Sequence, residues 1–213
     1  LLEHLFAECE LYGQALIAEG VITSEDVQGS KSGKSAGGTV RVGLPAYAIL
    51  QALLRSAKAD ADGILLSDGT EITTANKPKD TFFDWFFDPL LIMKQQIGAE
   101  NLTDDEEEYL CMLVLLAGDS FRVKQLNSRP PAAAHGDCRR AELDAVARRL
   151  QGITKSISRY PTYRRQFDGL VRSLSDKLEG RMSGPRARAR SGLTRLISDG
   201  THQVPEKDCE NGV

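Results

Sequence analysis

Between Arg139 and Arg159 the chain reads RRAELDAVARRLQGITKSISR. Leu143, Val146, Leu150, Ile153 and Ile157 fall at steps of three and four, so they share one face of a helix with 3.6 residues per turn. Paired arginines occupy the other faces. A strand would need apolar residues at every second position, and this segment does not have them.

The same period appears on both sides of this segment. Tyr160-Pro161 breaks the pattern, and Tyr163, Phe167, Leu170, Val171, Leu174 and Leu178 then restart it as a second amphipathic helix. Upstream, Thr103-Asp-Asp-Glu106 is a capping box, in which the threonine oxygen accepts from the amide three residues on and Glu106 reaches back to the cap amide. The helix it opens runs through Tyr109 to Leu116 and is apolar enough to be deeply buried. Residues 2 to 19 place Leu2, Leu5, Phe6, Cys9, Tyr12, Leu16 and Ile17 at helical spacing, ending at Gly20. Another helix follows Pro45, with Ile49, Leu50, Leu53 and Leu54 on its apolar side.

The aromatic centre is Asp80 to Phe87, and Asp88-Pro89 reads as a cap and first helical position for a helix to about Ile97. One segment is not helical in period. Ile64 to Leu66, Asp68-Gly69 and Glu71 to Thr74 are two β-prone runs about a tight-turn dipeptide, hence a small hairpin. Ser24 to Gly43, rich in Gly, Ser and Lys, reads as a mobile loop, and Asn127 to Gly136, with Pro130-Pro131 and three alanines, reads as a loop. These elements predict an all-α fold, a layered antiparallel helical sandwich with one short β-hairpin. It forms a single domain over residues 1–198, followed by a polar tail at 199–213.

With 213 residues, 41% hydrophobic and 27% charged, the chain can bury a real core. Its longest apolar run, Leu110 to Ala117, is far short of the roughly 20 residues that cross a bilayer. No membrane span and no membrane partner are expected. The first residues carry early acids and no basic leader, which does not read as a signal or transit peptide, and a leucine start suggests that residue 1 is not a native N-terminus. Cys9, Cys111, Cys138 and Cys209 lie far apart without a C-x-x-C pair, which fits reduced thiols in a soluble intracellular protein, nuclear or cytoplasmic. His4, His135 and His202 are equally scattered. Neither a metal site nor a cofactor is expected.

Gly29 to Ser35 invites a phosphate-loop reading, but three residues separate its glycines where four are needed, and no apolar strand leads into it. The acids Asp104 to Glu108 complement the positive end of a helix, which is simpler than acid–base or calcium chemistry. With no nucleophile elbow or ordered triad, no catalytic residue is assigned and the chain is not read as an enzyme.

Charge is polarised along the sequence. Residues 1–110 hold 8 Lys+Arg against 19 Asp+Glu, a balance of −11, and residues 111–213 hold 19 against 11, a balance of +8. Residues 122–195 alone carry 18 cations and 6 acids. Such a face suits RNA, DNA or an acidic protein, with Tyr160 and Tyr163 as stacking surfaces; it equally suits the solvated cover that an amphipathic helix needs.

From Leu44 to about Glu179 the chain resembles the ligand-binding domain of nuclear receptors, through the order of its motifs. These are Leu44-Pro45 with Ile49 to Ala57 (ILQALLRSA), then Asp62-Gly-Ile-Leu-Leu-Ser-Asp-Gly69, then Phe83-Asp-Trp-Phe-Phe-Asp-Pro-Leu-Leu91. Leu102 to Glu106 and the buried helix ending at Asp119 follow, and last come Glu142 to Tyr160, the Tyr-Pro break and Phe167 to Leu174. The resemblance implies a regulatory domain acting in transcription through protein contacts. Its apolar cavity for a lipophilic small molecule would be walled by Leu53, Leu65, Leu66, Phe86 and Leu90. It also implies a homo- or heterodimer surface at Phe167, Leu170, Val171 and Leu174, and a coregulator partner. The alternative is an unrelated all-α scaffold, or a nucleic-acid-binding protein using the basic 122–195 face.

Overall fold

A computed structural model describes residues 2–28, 39–77, 81–118, 120–128 and 137–182. The Gly29 to Ser35 stretch, Asp119, most of the 127–136 loop, the basic run after Met182 and the 199–213 tail lie outside the described residues.

The fold is all-α with one two-stranded antiparallel hairpin. Helix α1 (Leu2–Ala18) ends as its glycine predicts. Gly20 takes φ +74°, and the amides of Gly20 and Val21 donate back to Ile17 O at 3.1 Å and Leu16 O at 2.9 Å. This is a Schellman closure, in which the side chains of Leu16 and Val21 are both buried.

The predicted 24–43 loop needs correction at both ends. Ser24–Gln28 forms a short helix, α2. Asp26 Oδ2 accepts from the Thr23 amide and hydroxyl at 2.9 Å each, and Val27 is buried. Thr39–Gly43 forms one π-helical turn with Val40 fully buried. One local cap and the burial of Val27 and Val40 give these two ends regular structure despite the loop-like composition.

Helix α3 (Leu44–Lys58) starts on Pro45, whose missing amide is harmless in a first turn. It is the central element, buried on most sides and packed against α1, against α4 (Thr81–Ala99), α5 (Asp104–Leu115) and α7 (Asp137–Ile157), and against strand β1. Strands β1 (Ile64–Leu65) and β2 (Glu71–Ile72) pair Ile64 with Ile72 and Leu65 with Glu71.

Helix α4 departs from expectation. It begins at Thr81 rather than at Asp88, and carries Pro89 inside it. An internal proline costs about 3 kcal/mol. Phe86 and Phe87, one turn or less before it, are buried, and each such side chain contributes about 1.5–3 kcal/mol. Helix α5 is capped as predicted: Thr103 Oγ1 accepts from the Glu106 amide at 3.3 Å and Glu106 Oε2 from the Thr103 amide at 2.9 Å. A 3-10 turn (Leu116–Gly118) leads into α6 (Ser120–Ser128), tied to α5 by the Tyr109 hydroxyl donating to Asn127 Oδ1 at 2.8 Å. Helix α8 (Pro161–Met182) lies along α1.

That packing changes the meaning of the predicted dimer face. Phe167, Leu170 and Leu174 are buried against α1, with Tyr163 stacked on Phe167 at 5.5 Å and tilted against Phe6 at 5.3 Å; Val171 is half-buried. The apolar stripe of α8 is used by the chain's own core, so it is not an open surface.

Candidate functional site

The residues expected around a cavity divide according to strand geometry. Leu53, Leu66, Phe86 and Leu90 are all buried and converge, with Leu5 and Ile49, on one small, partly open apolar space between α1, α3, the hairpin and α4. Leu65 does not join them. Side chains alternate along a strand, so Ile64 points inward and Leu65 is half-buried on the other side. The free volume is about 30 Å³.

One wall of this space is charged. Glu8 on α1 is 3% exposed, and its carboxylate accepts from the Ser67 amide at 2.6 Å and from Arg55 Nη2 at 3.4 Å. Arg55 on α3 also donates to the Tyr12 hydroxyl and to Leu65 O at 2.8 Å. A single guanidinium thus joins α1, α3 and the hairpin. Burial pushes the Tyr12 phenol up, against the pull of Arg55 beside it, so Tyr12 stays neutral. Little in the local sequence announces this clamp: Glu8 sits between apolar positions of an ordinary amphipathic helix, and its partners lie 47 and 59 residues away.

A second clamp holds the α5 end. Arg139 Nε donates to Glu106 Oε1 at 2.6 Å, and Arg139 also binds Glu100 and Glu142. Among the other acids of that first turn, Glu107 pairs with Lys58 at 2.7 Å. No group of three or more potential metal ligands gathers among the described residues. Burial pushes the Cys9 thiol up and raises Cys111 to about 12, so neither is a thiolate at neutral pH; Cys111 Sγ accepts from Gln51 at 3.1 Å.

On the surface, α1 and α8 leave a concavity of about 490 Å³ lined by Glu3, Phe6, Glu10, Gln166, Leu170 and Ser173. It is open to solvent along its length, with Phe6 and Leu170 beneath and polar groups at its rim.

The chain is 53% identical over 180 residues to "Uncharacterized membrane protein At3g27390" of Arabidopsis thaliana. The match takes in 84% of this chain and 30% of that protein, so the chain spans under a third of its relative's length. This corrects two expectations, that no membrane is among the partners and that the chain is a soluble intracellular protein, nuclear or cytoplasmic. The first rested on the shortness of apolar runs and the second on scattered cysteines, and neither feature of this segment says anything of the rest of a longer protein. Among the described residues no helix is long and apolar enough to cross a membrane. No solved structure matches the chain. The family model described as "At3g27390, C-terminal domain" matches residues 1–184, and the chain belongs to that family.

Proposed function

We propose that this chain is a regulatory module of a membrane protein, a folded helical domain that acts through protein–protein contacts and performs no chemistry of its own. The observation that carries the reading is how little free space remains where the expected wall residues meet. Where Leu53, Leu66, Phe86 and Leu90 meet, the free volume of about 30 Å³ admits a single water, whereas small-molecule sites occupy roughly 300–1,000 Å³. The buried carboxylates Glu8 and Glu106 are both engaged in tying elements together. Recognition is left to the surface, and the α1–α8 concavity has the apolar floor and polar rim of a protein interface. The membrane part of the reading is supported by the name of the Arabidopsis relative.

A second reading keeps the resemblance to nuclear receptor ligand-binding domains. In it, a lipophilic small molecule enters the apolar space and alters coregulator contacts in transcription. It is favoured by the convergence of four expected wall residues on one space, and it requires that space to widen.

Site-specific photo-crosslinking from Glu3, Gln166 and Ser173, with the chain in its membrane-bound context, separates the two. Protein adducts at these positions and none at Lys58 or Lys124 are the expected result. A stoichiometric lipophilic molecule extracted from the purified chain, with no protein adduct, overturns the first reading in favour of the second.

A further inference from the structure

The C-terminal half of α7 and the first turn of α8 form a corner of one sign. From Arg148 to Arg165 there are six cations and no acid, namely Arg148, Arg149, Lys155, Arg159, Arg164 and Arg165, and all six are exposed. Arg148 and Lys155, seven residues apart at 100° per residue, lie within about 20° of one another on one face of α7, and Arg159 follows in the turn after Ile157. None of the six makes an ion pair among the described residues; Arg149 donates to the neutral Gln96 Oε1 at 2.8 Å. Tyr160, at the bend, is 43% exposed.

Folding explains only part of this charge. Lys155 complements the negative end of α7. Arg164, however, closes the first turn of α8 and Arg165 follows it, near the helix's positive end, where cations are disfavoured; no acid is present in that first turn. Six like charges also repel one another. A surface cluster of one sign, not compensated by ion pairs among the described residues, suits an anionic partner.

We propose that this corner docks on an anionic bilayer surface, its cations against lipid phosphates and carboxylates and Tyr160 at the level of the headgroups. The proposal rests on the membrane-protein reading above. Polybasic segments bind anionic leaflets, and aromatic residues favour the interface. A nucleic-acid surface is less well served: of the two tyrosines that could stack bases, Tyr163 is 2% exposed and committed to the α1–α8 core.

The test is co-sedimentation of the full chain with vesicles of phosphatidylcholine alone and of phosphatidylcholine with phosphatidylserine. Binding is expected only to the second, weakening as salt rises. The triple variant Arg159→Gln, Arg164→Gln, Arg165→Gln, checked for an unchanged circular dichroism spectrum, is expected to lose about fivefold in partitioning per cation, or roughly a hundredfold in all. Lys58→Gln with Lys124→Gln is expected to bind as the parent does. Equal binding of the triple variant, equal binding to neutral vesicles, or displacement from vesicles by duplex nucleic acid that depends on the same three arginines overturns the proposal. If groove crosslinks persist while vesicle binding is absent, the docking proposal alone fails. If vesicle binding persists without groove crosslinks, the protein-contact module fails instead.

Discussion

Glu106 works at two ranges at once. Within its own helix it closes the capping box with Thr103, and across 33 residues it holds Arg139. The Arg139 hydrogen bond first, and then the Thr103 amide against the opposing effect of burial, hold its carboxyl at about 2, below the ordinary value of 4.5. A depressed folded-state value means stabilisation that is complete above the ordinary value and disappears as pH falls through about 2. The melting temperature of the parent should therefore decline from about pH 4.5 to pH 2, and Glu106→Gln should flatten that decline. At neutral pH the variant should be about 1–3 kcal/mol less stable. Arg139→Ala, which strands a carboxylate that is 6% exposed, should cost about 3 kcal/mol, and Arg149→Ala less than about 0.5 kcal/mol. Half of this site was legible in the sequence. The Thr103-to-Glu106 box is a four-residue pattern, but nothing local to Glu106 or Arg139 announces that the two meet.

Helices with a complete local period were legible in the same way. Residues 139–159 predicted α7 closely, because five apolar residues at helical steps leave no other repeating structure. Elements set by tertiary contact are not legible in this way. Pro89 looked like a helix start because its local cost is plain, while the burial of Phe86 and Phe87 that offsets it depends on elements remote in sequence. Helix α2 was hidden by the glycine-rich stretch after it, although Thr23-Ser-Glu-Asp26 carries its own cap. The π-helical turn ending at Gly43 has no sequence signature. It exists because its backbone runs against the end of α5: a Cβ on Gly43 would lie 1.8 Å from Leu115 O. Gly43→Ala must displace one backbone from another and should cost more than about 3 kcal/mol. Gly152, in the middle of α7, has open space where a Cβ would go, so Gly152→Ala should stabilise by about 0.5–1 kcal/mol. Chemical denaturation of the two variants checks both signs. Equal effects would mean that the turn does not abut α5.

At the scale of the molecule, the opposed charge of the two halves is partly resolved by pairing between them. Arg122 meets Asp26 at 2.8 Å, Arg139 meets Glu100 and Glu106, and Lys177 meets Glu10 at 3.6 Å. These contacts are not equivalent. The Arg122–Asp26 pair is sheltered, with side chains 21% and 9% exposed, and Arg122 Nη2 also reaches Val21 O at 3.4 Å, so it fastens α2 to α6. The Lys177–Glu10 pair is 43% and 48% exposed at the edge of the α1–α8 concavity, where water and salt screen it. Losing Arg122 leaves a poorly solvated carboxylate without its guanidinium, and Arg122→Ala should cost about 2 kcal/mol with little dependence on salt. Lys177→Ala should stay within about 0.5 kcal/mol and shrink further in high salt. Urea titrations at low and high sodium chloride measure both. If the two variants respond alike, the opposite charges of the halves act as a diffuse, screened field and the sheltered pair adds nothing specific to the joining of α2 and α6.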